Sequence, residues 1–109
     1  MIDETPGPTV AAYADTLCGG LWMSDTGAWF TDPNTGRLGM VEWGALAGFS
    51  VSSVDGEPFV ALIHADETGS TSGAFTVLPM VDVATAARTG VALAVAWRDA
   101  LETRTVKGN

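Results

Sequence analysis

Cysteine and histidine occur once each in this chain of 109 residues, as Cys18 and His64. A lone cysteine excludes an internal disulfide, and the two residues together cannot complete a typical four-ligand zinc site. No metal and no cofactor is expected. Glutamine is absent, and isoleucine and lysine are scarce. Long hydrophobic runs are missing too. Stretches such as "VALAVAW" are far too short to cross a bilayer as a helix. The opening "MIDETPGPTV" carries two acids and two prolines. It lacks the basic-then-apolar order of a secretory signal. A soluble, cytoplasmic protein is the expectation.

Positive charge is the other shortage. Residues 1–87 hold eleven acids and a single base, Arg37. Residues 88–109 hold Arg88, Arg98, Arg104 and Lys107 against Asp99 and Glu102. The net charge of −8 is therefore that of an acidic body with a mildly basic tail. Such a body repels phosphate, which disfavours nucleic acid and anionic membranes alike. A protein with a basic surface is the partner it would attract.

What is present is enough for one core. Hydrophobic residues make up 47% of the chain, and the length suits a single domain. Pro6 and Pro8 mark residues 1–8 as a loose arm. The globular domain is expected over 9–104, with 105–109 as a tail. "TVAAYADTLC" reads as a short helix, capped by Thr9 and ended by Gly19 and Gly20. Turn signals then follow quickly: "SDTG", "DPNTGR", "VDGE" and "DETGSTSG". Between them lie short pieces rich in Val, Phe, Trp and Thr, which read as an antiparallel meander.

Asp55-Gly56 is the strongest hairpin signal in the chain. Before it, Phe49 and Val51 alternate with Ser50 and Ser52, as in a strand with one wet face. After it, "PFVALIHA" is apolar on both faces, which suits a central strand. In "DPNTGR", Pro33 presets a turn and Gly36 takes positive φ. From Asp82 to about Arg104 the pattern becomes helical. Ala86, Gly90, Leu93, Trp97 and Leu101 recur on one face, with Asp82 as N-cap. Gly90 and its alanine neighbours would let that helix lie close to a sheet.

The stretch "LGMVEWGALAGFSVSS" holds a strand ending in Trp43, one turn of small residues, and a second strand. Residues 20–104 resemble bacterial pleckstrin-homology-like domains. Trp43, Leu46 and Gly48 match the corner of that pattern, and Trp97 a core position on its closing helix. The resemblance implies an α+β fold: a strongly bent antiparallel sheet or partly open barrel of about six strands, capped by one long C-terminal helix. It also implies binding rather than catalysis. Lipid-binding members of that group carry basic loops. Here the loops carry Asp25, Asp32, Asp55, Glu57, Asp66 and Glu67, so protein binding is what carries over.

The chemical motifs are thin. Asp25-Thr26-Gly27 is similar to the signature of dimeric retroviral-type aspartic proteases, in which two such aspartates share a proton. Ser24 stands where those proteases have a large apolar residue, and Arg98-Asp99 lacks their preceding glycine. A hairpin turn is the simpler reading. "GSTSG" has Thr71 where a nucleophile elbow needs serine and reads as a mobile loop. His64 reads as a surface or edge residue, and Cys18 as a buried or inert thiol.

No catalytic set is assembled, so the chain reads as non-enzymatic. The expected function is a protein-binding adaptor or inhibitor, of immunity-like or phage-encoded type, acting on a basic enzyme. Its expected contact residues are Asp55, Glu57, Asp66 and Glu67, with Trp22 and Trp29 as aromatic anchors. The alternatives are a homo-oligomeric structural or secretion-related component, with Trp22 and Trp29 in a subunit contact, and the dimeric protease.

Overall fold

The computed structural model describes residues 10–66, 68 and 71–107. Among the described residues, seven strands and one α-helix follow in chain order. They are β1 (Val10–Thr16), β2 (Gly19–Ser24), β3 (Gly27–Thr31), β4 (Leu38–Glu42), β5 (Leu46–Val54), β6 (Glu57–Ala65), β7 (Thr71–Pro79) and α1 (Val83–Lys107). All strand pairs are antiparallel. They form two sheets, ordered β1-β2-β3-β4 and β5-β6-β7. The fold class is α+β, as expected, but the sheets do not close into a barrel.

Two expectations are corrected. The segment read as a short helix is strand β1. Its burial alternates: Ala12 and Ala14 are partly covered, while Tyr13 and Asp15 are exposed. That is the period of a strand, and it outweighs the helix propensity of the alanines. Gly19 and Gly20, expected to stop a helix, instead begin β2. The strand count accordingly rises from about six to seven. The second correction is at the other end, where α1 runs on through Lys107, so 105–107 continue the helix. The expected arm at 1–8, Thr9 and the last two residues lie outside the described residues.

Trp43 sits where the chain leaves one sheet for the other. A single turn of 3-10 helix, Trp43–Ala45, separates β4 from β5. The first residues of β5 then carry a bulge between Leu46 and Gly48. A bulge bends its strand and raises the local twist. Together they turn the chain through the corner that the sequence suggested. Trp43 is 2% exposed, and its indole N–H donates to the Ser24 carbonyl at 2.8 Å. On the opposite side the sheets meet through the Thr16–Met80 bridge and the bond from the Leu17 amide to the Pro79 carbonyl, 2.9 Å.

The core lies between the sheets and under the helix. Leu21, Met23, Ala28, Phe30 and Val41 come from the first sheet. Val60, Leu62 and Leu78 come from the second, with Leu46 and Met80 at the junctions. Ala86 and Leu93 face them from α1. Each large aliphatic side chain buried this way contributes about 1.5–3 kcal/mol. Phe30 reaches over Gly39, where any Cβ would lie 2.7 Å from its ring.

The helix begins on Asp82, whose carboxylate accepts from the Thr85 amide at 2.6 Å. Gly90 brings it close to β5: a Cβ there would stand 2.7 Å from a Val51 methyl. Trp97 meets Phe49 edge to face, with centroids 6.2 Å apart. Leu101, expected on the same buried face, is 44% exposed. Thr89 is buried and donates its hydroxyl to the Thr85 carbonyl at 2.6 Å, so this buried hydroxyl is satisfied. As expected, β6 is the central strand of its sheet.

Candidate partner-binding surface

The turns of the first sheet set its register, and the register builds the surface. In "SDTG", Asp25 and Thr26 form a two-residue link between β2 and β3. Ser24 holds this link. Its hydroxyl accepts from the amides of Thr26 at 3.1 Å and Gly27 at 3.3 Å, and from the indole of Trp29 at 2.8 Å. It donates to the Gly27 carbonyl at 3.2 Å. Met23 then faces Ala28, Trp22 faces Trp29, and Leu21 faces Phe30. Leu21, Met23, Ala28 and Phe30 point into the core. Alternation therefore sends Trp22 and Trp29 to the opposite face.

The row extends across all four strands. Tyr13 of β1 pairs with Trp22, and Met40 of β4 pairs with Trp29. Directly opposed residues share a face with their side chains touching or nearly so. The outer face thus carries Tyr13, Trp22, Trp29 and Met40 side by side. Tyr13 is 51% exposed, and the other three are half-buried. The Tyr13 and Trp22 rings tilt toward each other at 5.3 Å. Both lean over Gly20, where a Cβ would stand 2.6 Å from the Tyr13 ring and 2.9 Å from the Trp22 ring. Glycine is required there to let the rings lie down on the sheet.

Acids flank this row. Asp15 lies two residues from Tyr13 on the same face and accepts its hydroxyl proton bond at 2.6 Å. That bond, with the adjacent negative charge, raises the Tyr13 pKa above its ordinary value. Glu42 lies two residues from Met40 and is exposed. Asp25 is exposed in the turn and accepts from the Thr26 hydroxyl at 3.3 Å. Aromatic faces beside carboxylates suit a cationic side chain, which gains ring attraction and charge attraction together.

The acids singled out from the sequence are placed differently. Asp55 and Glu57 flank the β5–β6 turn, where Asp55 has φ 53° and Gly56 φ 80°. Both residues are exposed. Asp66 follows the far end of β6 and accepts from the Thr68 amide and hydroxyl at 2.9 and 2.7 Å. A nine-residue strand separates the two ends, a span of about 27 Å at the usual rise per residue. Glu67 lies outside the described residues. Asp55 and Glu57 therefore do not converge with Asp66, whereas Trp22 and Trp29 do stand together.

His64 and Cys18 differ from expectation in burial. His64 lies half-buried on the central strand, with Nε2 2.8 Å from the Thr76 hydroxyl. Cys18 is exposed at the tip of the β1–β2 turn. The "GSTSG" run is only partly described: residues 69 and 70 lie outside the described residues, and Thr71–Gly73 begin β7. Among the described residues, no group of three or more metal-ligating side chains is gathered, and no helix is long and apolar enough to cross a membrane.

Sequence reading missed Tyr13, Met40, Asp15 and Glu42. The alternation in "AAYADT" was the available signal for the first and third. The domain is thus an α+β unit of two antiparallel sheets and a C-terminal helix, with an aromatic row across the outer face of the larger sheet. No protein family model, no curated protein and no solved structure matches the chain.

Proposed function

We propose that this chain is a non-enzymatic protein-binding module of pleckstrin-homology-like build, an adaptor or inhibitor that engages a partner with a basic surface. The observation that carries the proposal is the row Tyr13–Trp22–Trp29–Met40 with Asp15, Asp25 and Glu42 around it. Tryptophan and tyrosine on a sheet face lose little side-chain entropy when covered, and they dominate interface energetics. The net charge of −8 speeds the encounter with a cationic partner. Four strands, a tryptophan corner, three strands and one closing helix support the family resemblance. Calorimetric titration with an arginine-rich peptide and an acidic control peptide tests the proposal. Binding of the basic peptide alone, weakened by salt and by Trp22→Ala, supports it. Equal binding of both peptides, or none, removes it.

A second reading is self-association. On the other sheet, Phe75 and Val77 of the edge strand β7 are 63% and 39% exposed. They pair with Ile63 and Ala61 of β6, so the middle of this outer face is apolar, with Glu57 the charged residue at one end of the β6 row. Two copies of an acidic chain could approach there through the apolar stretch, with Glu57 at its rim. Light scattering over a concentration series decides it: a strict monomer ends this reading and leaves the first intact.

A further inference from the structure

A cleft lies beside β1, at the end of the aromatic row, and shares Tyr13 and Asp15 with it. It occupies about 310 Å³ between the edge of β1 and the early turns of α1. Tyr13 and Asp15 line one wall, Thr85, Arg88 and Thr89 the other, and the buried Met23 side chain lies between them. The two walls carry opposite charges. Asp15 is held by the Tyr13 hydroxyl at 2.6 Å. Arg88 is held through its Nη2, which donates to the Thr85 hydroxyl at 3.3 Å. Each charged group is thus oriented by a neighbour on its own element. Although both line the cleft, Asp15 and Arg88 form no ion pair with each other among the described residues. Arg88 also feels the Asp82 carboxylate at the helix start. These bonds use one guanidinium donor and one carboxylate oxygen, which leaves four donors and the second oxygen.

We propose that this cleft binds a small zwitterion, a free amino acid in the broad sense, with its ammonium group on Asp15 and its carboxylate on Arg88. The volume supports a small ligand. It sits at the low end of the range for ligand pockets. A carboxylate on guanidinium gains two-pronged, charge-assisted hydrogen bonds, with the Thr85 hydroxyl beside it. The opposing carboxylate rejects simple anions, and the guanidinium rejects simple cations. A molecule carrying both charges satisfies both walls. This inference does not depend on the basic-partner reading, since it uses the cation as much as the acid.

The experiment is an amide NMR titration of the full chain with glycine, β-alanine, aminobutyrate and aminohexanoate, which differ in charge spacing. Glycinamide and N-acetylglycine serve as single-charge controls. The expected result is saturable shifts at Asp15, Thr85 and Arg88, strongest for one spacing, with both controls at least about tenfold weaker. Arg88→Gln and Asp15→Asn, each checked for an unchanged fold by its amide spectrum, should each weaken binding at least about tenfold. The proposal is overturned if no zwitterion moves those signals. It is equally overturned if a single-charge control binds as well, or if Arg88→Gln leaves the affinity unchanged.

Discussion

The indole N–H of Trp43 donates to the backbone carbonyl of Ser24 across 2.8 Å, joining the corner between the sheets to the β2–β3 turn. The Ser24 hydroxyl at the same time receives the Trp29 indole at 2.8 Å. One serine thus ties together the corner that shapes the fold and a tryptophan of the outer row. Replacing Trp43 by Phe removes the donor and part of the buried ring, so a small cavity adds to the loss of the bond. The expected loss is about 1–3 kcal/mol for the carbonyl left without that partner, read as a lower urea midpoint at unchanged slope.

Ser24→Ala removes the acceptor shared by Trp29 and the amides of Thr26 and Gly27. A loss of about 1–3 kcal/mol is expected. Trp29→Phe in that background should cost less than Trp29→Phe alone, because the indole bond is already gone. Simple additivity of the two changes in urea unfolding would contradict a shared hydrogen bond.

Gly90 faces a Val51 methyl, and this gives a prediction with a sign change. Alanine at position 90 gains roughly 1 kcal/mol of helix propensity. Its Cβ, however, meets the Val51 methyl at 2.7 Å, and a β-branched side chain in a strand has few rotamers to retreat into. Gly90→Ala should therefore destabilise the natural chain and stabilise a Val51→Ala chain. Thermal unfolding of the four combinations tests this, and stabilisation in both backgrounds would refute the close approach.

Asp82 caps α1, and its carboxyl pKa is lowered, first by the Thr85 amide bond and then by the Thr85 hydroxyl. A depressed folded pKa contributes stability that is fully present above the unfolded value, about 4. That contribution is lost as pH falls through the lower folded value. The stability gap between the natural chain and Asp82→Ala should be constant from neutral pH down to about 5 and narrow below about 4. A gap that widens on acidification would show that the cap does not depend on the carboxylate.

Much of the architecture was legible in the sequence where chemistry is local. Asp55-Gly56 does take the left-handed backbone of a tight hairpin, and Asp82 does start the helix. Trp43 with its small neighbours does form the corner. The first strand was not legible, because alanines flanking Tyr13 satisfy a helix as readily as a covered strand face. The alternation around Tyr13 leans toward a strand, and pairing with β2 decides it. The candidate surface was half legible for the same reason. Trp22 and Trp29 stood out by type. Tyr13 could not be placed opposite Trp22 while its segment was read as helix, and Met40 joins the row only through β3–β4 register. The acids of the loops were visible as charge, but their separation by the length of β6 is a tertiary fact.

The central claim is that the outer row of the first sheet is where a basic partner sits. Amide and indole NMR signals followed during titration with an arginine-rich peptide locate the contact most directly. Shifts concentrated at Tyr13, Asp15, Trp22, Trp29, Met40 and Glu42, diminished by salt and lost in Trp22→Ala, are the expected result. Shifts centred on the Asp55–Glu57 turn, with the aromatic row silent, would contradict it.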